Sequence, residues 1–299
     1  MAMQAGVTET AAVSALDGDP YLHRIRDLIS DVAGIYHPES KFYYLRDRCA
    51  RRMHALKVPT LAEYHDHLTR GVDRESELRE LLNEVTVGET CFFRNPAQLE
   101  ALTRQVLPPM VAAKARLGFR RLRVWSAGCA TGEEAYTLAM VLQEETPSLL
   151  RDWSFEVVAT DINERSLEHA REGVYNDYAL RNVPLYFRQK YFERRGEQFR
   201  VRDELRRSLH LGRLNLRDDS RMVFMKGIDV IFCCNVLIYF GAQPKRRVIQ
   251  HFHNNLLPGG CLFLGHSESL FGLFDDFKLT HFPLAAGHFK AGRSAGDTK

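Results

Sequence analysis

The chain has 299 residues, of which 45% are hydrophobic and 26% charged, an ordinary globular balance that buries a sizeable core in one large domain or two smaller ones. The formal net charge of +3 decides little about partners. The six cysteines (Cys49, Cys91, Cys129, Cys233, Cys234 and Cys261) contain no C-x-x-C pair, which argues against a zinc site or a disulfide framework and fits a reducing cytosol.

The first twenty residues carry no basic n-region and no long apolar stretch, so a signal peptide is not expected. The longest apolar run, about Ile228–Phe240, is shorter than the roughly 18 residues a membrane span needs. A soluble, cytoplasmic protein is therefore expected. Residues 1–19 and 291–299 are small and polar and read as disordered tails. Residues 20–90 read as an all-helical domain. Leu22, Ile25, Leu28, Ile29 and Val32 recur at close to 3.6 residues over Tyr21–Ala33. After the breaker His37-Pro38 comes a basic helix from about Lys41 to Leu56, in which Arg46, Arg48, Arg51 and Arg52 are accompanied by the single acid Asp47. A third helix follows Thr60, whose hydroxyl with Glu63 makes a capping box. A fourth spans Asp73–Val85.

After Asn95-Pro96 the pattern changes. A helix over Ala97–Leu107 leads into a basic linker, Lys114–Arg123. Strands at Leu122–Ser126, Glu156–Thr160, Asp229–Cys233 and Gly260–Leu264 then alternate with helices from Glu133, Asn163 and about Pro244. That rhythm predicts an α/β, Rossmann-like fold, a mostly parallel sheet with helices on both faces. Residues 174–213 interrupt it with aromatics and arginines, and Tyr191–Leu205, turning at Arg195-Gly196, reads as a small antiparallel β subdomain. The α/β domain is thus expected over 91–290.

VWSAGCATGEEAYTLAM (124–140) joins a buried strand to a helix through small residues. Gly128 and Gly132 let the backbone approach a ligand closely, and the N–H groups opening the helix favour polar ligand groups. Asp161 ends the next strand, where an acid can accept both ribose hydroxyls. The spacing is not G-x-G-x-x-G, and no Gly-Lys-Ser/Thr follows, so adenosine without a pyrophosphate fits better than NAD or ATP. A tight turn with no ligand is the competing reading.

Several segments in one order, TVGETCFFRNPAQLEAL (86–102), WSAGCATGEEAYTLAM (125–140), ATDINERSLEHAREGVY (159–175), LNL (214–216), FCCNVLIYF (232–240) and LFLGHSESL (262–270), make the chain resemble the CheR family of chemotaxis receptor glutamate methyltransferases over about residues 20–290. The resemblance implies a class I methyltransferase domain that uses S-adenosylmethionine and yields S-adenosylhomocysteine. By position it implicates Gly88, Thr90, Arg94, Ala127, Gly128, Glu133 or Glu134, Asp161, Asn215, Leu216, Asn235 and Val236 in cofactor contact. Two positions depart from the family: Gly88 stands where Asn is common, and Cys234 where Arg is common.

The substrates implied are glutamates on chemoreceptor signalling helices. With a reference pKa near ~4.3 a glutamate is already an ionised nucleophile at neutral pH, so transfer needs orientation rather than a general base. Arg94 could hold the incoming carboxylate or that of the cofactor, and Tyr239 could set a hydroxyl beside the methyl group. A surface ion pair and a core aromatic are the competing readings of these two residues. Arg48, Arg51 and Arg52, with Arg48 and Arg52 one helical turn apart, are expected to dock the acidic receptor helix, a solvated charged face being the alternative. His65/His67 and His251/His253 sit at i, i+2, a spacing that points to different sides of a helix, so no metal is expected. Family members that tether to a C-terminal receptor pentapeptide carry a longer, Gly-rich loop in the small β subdomain, so the resemblance implies that this chain, whose turn Glu193–Gln198 is short and has one glycine, is independent of that tether. The rival functions are a non-catalytic module that binds S-adenosylmethionine and a nucleic-acid methyltransferase. The latter lacks support because Asn235-Val236-Leu237-Ile238-Tyr239 contains no prolines.

Overall fold

This computed structural model describes residues 19–292 and separates the chain into two compact units. One holds the residues up to Val87 together with Tyr239–Pro244; the other holds Gly88–Ile238 and the residues from Lys245 onward. The expected disordered tails lie outside the described residues, except for Asp19, Ala291 and Gly292.

The first unit is built on four helices: α1 (Pro20–Ala33), α2 (Phe42–Leu56, entered through a 3-10 turn, Glu39–Lys41), α3 (Leu61–Arg70) and α4 (Arg74–Val85). Local chemistry sets their ends. The Asp19 carboxylate accepts the Tyr21 N–H at 2.8 Å, ahead of Pro20 at the first helical position. The Thr60 hydroxyl accepts the Glu63 N–H at 3.2 Å, as the capping box predicts. Leu22, Ile25, Ile29 and Ala33 form the buried stripe of α1.

At the centre of this unit Glu77, on α4, is almost fully buried. It accepts two bonds from the Arg52 guanidinium, at 3.0 and 2.6 Å, and one from the Tyr64 hydroxyl at 2.7 Å. Arg52 therefore ties α2 to α4. Arg48 is also turned inward: it lies 4.6 Å from the Tyr44 ring centroid and within the field of Glu84. The face expected to meet an acidic receptor helix meets an acidic helix of its own unit, because Glu77, Glu80 and Glu84 repeat at helical spacing toward α2. Of the three arginines, Arg51 has the most exposed side chain, at 58%, and it lies 3.1 Å from Asp47.

Tyr239–Pro244 also belong here by their contacts. The Tyr36 N–H donates to the Tyr239 carbonyl at 2.8 Å, and Ile35 bridges to Phe240. Gly34 permits this approach, since a Cβ there would stand 2.8 Å from the Phe240 ring.

The second unit opens with α5 (Pro96–Ala101), a π-helical turn (Leu102–Val106) and α6 (Leu107–Arg116). The expected basic linker is thus mostly helix and strand, because α6 continues through Lys114 to Arg116 and β1 begins at Arg121. Lys114 is held by Asp229 at 2.7 Å. The order is then β1 (Arg121–Ala127), α7 (Glu133–Glu145), β2 (Ser154–Asp161), α8 (Glu164–Glu172), β3 (Val174–Tyr175), α9 (Leu185–Tyr191), β4 (Phe192–Arg195), β5 (Gln198–Val201), α10 (Asp203–Arg206), β6 (Leu209–Arg213), α11 (Asp219–Met222), β7 (Ile228–Cys233), a 3-10 turn (Leu237–Tyr239), α12 (Ala242–Asn255), β8 (Leu256–Leu264), β9 (Phe277–Phe282) and β10 (Ala285–Lys290).

These strands make a seven-stranded sheet in the order β6-β2-β1-β7-β8-β10-β9, parallel from β6 to β8 and closed by an antiparallel hairpin. The core lies between the sheet and its helices and includes Leu122, Val124, Val157, Val230, Phe232 and Phe263. A separate antiparallel sheet runs β3-β5-β4. Residues 209–213, expected within that small subdomain, instead form an edge strand of the main sheet.

Candidate active site

Open α/β sheets bind ligands beyond the carboxyl ends of their strands, and here the ends of β6, β2, β1 and β7 lie side by side. After β1 the chain passes through Gly128 (φ +82°), Ala130 (φ +47°) and Gly132 (φ +98°), all in the left-handed region. The turn is tied to β2. The Gly128 and Cys129 N–H groups donate to the Thr160 carbonyl at 2.8 and 3.0 Å, and the Ala130 N–H donates to Asp161 Oδ2 at 2.8 Å. Asp161 Oδ1 accepts the Asn163 N–H at 2.8 Å. The Ile162 N–H bonds to the same carboxylate, so three backbone donors fix its orientation at the strand end. Burial pushes the Asp161 carboxyl up from its ordinary pKa, opposed by these backbone N–H groups.

The glycines have a different immediate reason from the one expected. A Cβ on Gly128 would lie 2.4 Å from Val236 Cγ2, and one on Gly132 would lie 2.8 Å from Ala170 Cβ. They admit protein neighbours, so the shape of the turn is set by packing. Beyond β6 the Leu214 N–H donates to the Asp161 carbonyl at 2.9 Å, which brings Asn215 and buried Leu216 beside the end of β2. Beyond β7, Asn235 adopts φ +62°, in the left-handed region that Asn enters more readily than other non-glycine residues.

Glu133 and Glu134 open α7 and separate in role. Glu133 is buried and accepts the Thr131 hydroxyl at 2.7 Å. Glu134 accepts the Ser126 hydroxyl at 2.7 Å, and the Cys234 thiol bonds to it as well. Burial raises its pKa to about 7; Ser126 and Cys234 oppose the rise, Glu268 adds to it and Arg94 opposes it. Glu134 is therefore the member of the pair turned toward the strand ends. Among the described residues no lysine or arginine forms an ion pair with it. A carboxylate suited to ribose hydroxyls and a second, desolvated carboxylate suited to an ammonium group fit S-adenosylmethionine.

The FFR segment is anchored by its aromatics. Phe92 meets Tyr175 and Phe192 edge-on, with centroids 4.8 and 5.1 Å apart, and the Phe93 N–H donates to Thr137 Oγ1 at 3.2 Å. With Phe93 at φ +52°, the next side chain, Arg94, is carried to the surface. Arg94 Nη1 donates to the Glu89 carbonyl at 2.9 Å, closing the loop that holds half-buried Thr90, with Gly88 just before it. Half-buried Tyr239 belongs by its contacts to the helical unit.

The family model for the CheR methyltransferase, SAM binding domain, matches residues 88–285, and that for the CheR methyltransferase, all-alpha domain, matches residues 21–86. A chemotaxis protein methyltransferase 2 of Vibrio cholerae is 33% identical over 277 residues, covering 92% of this chain and 94% of its own length. Chemotaxis protein methyltransferases of Vibrio parahaemolyticus and Borreliella burgdorferi are 35% and 30% identical, covering 82% and 84% of this chain and 88% of each relative. The chain belongs to the CheR family. It is an S-adenosylmethionine-dependent chemotaxis methyltransferase.

Both departures from the CheR pattern now have surroundings. The Cys234 thiol donates to Gln98 Oε1 at 3.4 Å, while Gln98 Nε2 donates to the Leu264 carbonyl at 2.6 Å. A buried amide and a thiol thus stand where CheR proteins commonly carry a cation, next to Glu134. At Gly88 a Cβ would find only Ser166 Oγ, at an ordinary 3.7 Å, so the site admits a side chain there. Sequence reasoning missed Gln98 and Glu268, whose partners come from distant strands. Among the described residues no group of three or more His, Cys, Asp or Glu side chains is placed to hold a metal ion, and no helix is long and apolar enough to cross a membrane.

Proposed function

We propose that the enzyme esterifies glutamate side chains on the cytoplasmic signalling helices of chemoreceptors, with Arg94 and Tyr239 at the reacting groups. The observation that carries this reading is the convergence of the Gly128–Gly132 turn, Asp161, Asn215 and Asn235 at four adjacent strand ends of a CheR chain. Asp161 would accept the ribose hydroxyls of S-adenosylmethionine, and Glu134 would face its ammonium. Gly88, Thr90, Ala127, Leu216, Asn235 and Val236 would supply the remaining contacts. When bound, the cofactor supplies an activated methyl group on a sulfonium sulfur.

The chain's own part is orientation. A glutamate needs no base at neutral pH, and effective molarity rises steeply when the carboxylate is held in line with the methyl group. Arg94 is exposed, with its Nη1 engaged by the Glu89 carbonyl; its remaining donors suit a carboxylate. The Tyr239 hydroxyl is assigned to the methyl-transfer position by its place in the NVLIYF segment. Receptor docking belongs to the helical unit, with Arg51 its most exposed arginine of the predicted set. The β4–β5 hairpin pairs Arg195 with Gln198, leaving the two-residue loop Gly196-Glu197. So short a loop supports action without a pentapeptide tether, and tight binding of the isolated pentapeptide would contradict it.

The test is direct. Labelled S-adenosylmethionine is incubated with receptor-containing membranes and the product is treated with mild base. Carboxyl methyl esters release volatile methanol, which is the result expected. No volatile label with any receptor set would sink the assignment.

A further inference from the structure

Glu268 lies just past β8, in a turn closed by its own N–H donating to the Gly265 carbonyl at 2.9 Å. Its carboxylate is surrounded by backbone donors. Oε2 accepts the Asn235 N–H at 2.9 Å and the Gly265 N–H at 2.6 Å, and Oε1 accepts the Ile238 N–H at 3.2 Å. Two of these donors bracket Val236-Leu237, so one side chain clamps both ends of the turn that follows β7. That turn contains the left-handed Asn235 and places Val236 against Gly128. Gly265 is part of the same device, because a Cβ there would lie 2.8 Å from both the Asn235 nitrogen and Glu268 Oε2. Charge-assisted bonds from one carboxylate to several N–H groups are strong and geometrically specific. Asn adopts the left-handed region more readily than other non-glycine residues, and the bonds to Glu268 on either side of Val236-Leu237 fix it there.

We propose that Glu268 is a positioning residue for the cofactor site, acting through the backbone of the Asn235–Ile238 turn to hold Asn235 and Val236 in their binding arrangement. This rests on the reading that Asn235 and Val236 contact S-adenosylmethionine. Glu268 itself touches only backbone, so it is a clamp and not a ligand. Replacing one oxygen by an amide, as in Glu268→Gln, keeps the shape while turning a donor toward the N–H groups of the nest. That loses one acceptor and adds a repulsive contact.

The experiment measures S-adenosylhomocysteine affinity by calorimetry, cofactor-free thermal unfolding, and kcat and KM with receptor membranes. The variants, made in the full chain, are Glu268→Gln, Asn235→Ala, the double variant and Asp161→Ala. Glu268→Gln should weaken S-adenosylhomocysteine roughly 10- to 100-fold and raise the KM for S-adenosylmethionine more than it lowers kcat. Its effect on affinity should largely vanish in the Asn235→Ala background, because the two residues act as one unit. Additive losses in the double variant, or a lowered melting temperature with unchanged affinity, would overturn the proposal, since a merely structural role predicts one or the other. If Asp161→Ala weakens binding and Glu268→Gln does not, the clamp alone is wrong. If Asp161→Ala leaves affinity unchanged, the cofactor placement is wrong and the clamp falls with it.

Discussion

Glu134 shows how one replacement changes a site's electrostatics. Its neighbours are a hydroxyl, a thiol and a second carboxylate, and burial lifts its pKa to about 7. The folded value stands above the ordinary carboxylate value of 4.5, so the folded chain holds the extra proton between about pH 4.5 and pH 7, and stability falls as pH rises through that window. Glu134→Gln should therefore raise the melting temperature more at pH 8 than at pH 5. A bound ammonium favours the ionised form, so cofactor affinity should rise with pH through about 7 and binding should release a proton. Calorimetry in two buffers of different ionisation enthalpy detects that proton, and a pH-independent affinity would contradict the assignment of Glu134 to the ammonium. Gly88 offers a second test at this scale. Its φ is not left-handed and its surroundings are open, so Gly88→Asn should fold normally. By restoring the side chain common in the family, it should strengthen S-adenosylhomocysteine binding by roughly 1 kcal/mol, the worth of one net hydrogen bond. Unchanged affinity in titration would show that backbone contact already suffices there.

At the scale of elements, α2 separates two kinds of arginine. Arg52 makes a bidentate bond to buried Glu77, and removing it leaves a buried charge uncompensated, a loss of about 3–5 kcal/mol. Arg51 pairs with exposed Asp47, a contact worth about 0–1 kcal/mol. Thermal unfolding should thus show a large destabilisation for Arg52→Ala and almost none for Arg51→Ala, while Arg51→Ala should raise the KM for receptor. The reverse order in the melts would refute this division. The sequence period puts Arg48 and Arg52 on one face, but it cannot say which helix that face meets. The same limit explains what else was hidden. β1, β2 and β7 are legible because their central stretches are buried on both sides and read as apolar runs. β6 is a short edge strand containing His210, Gly212 and Arg213, and β9 is half exposed, so their patterns are weak. The Gly turn and Asp161 are readable as local chemistry, whereas Glu268 bonds only backbone groups, two of which the fold brings from the distant turn after β7.

At the scale of the whole molecule, the two units should answer to salt differently. Receptor recognition is assigned to a helical unit whose outward charges, Arg51 among them, lie in solvent, where the Debye length is about 10 Å at 0.1 M salt. The carboxylates proposed to meet the cofactor, Asp161 and Glu134, are desolvated, and their contacts are short hydrogen bonds that salt screens little. Raising salt from about 0.05 to about 0.3 M should therefore raise the KM for receptor membranes several-fold, mainly by slowing encounter with an acidic helix. S-adenosylhomocysteine affinity should change by less than about twofold over the same range. Reversing one exposed charge, Arg51→Glu, should flatten the receptor's salt dependence while leaving the cofactor titration superimposable on that of the unaltered chain. A receptor KM that ignores salt would place recognition on apolar contacts instead. A cofactor affinity that falls in step with it would mean that the two units do not divide the work as their charges imply.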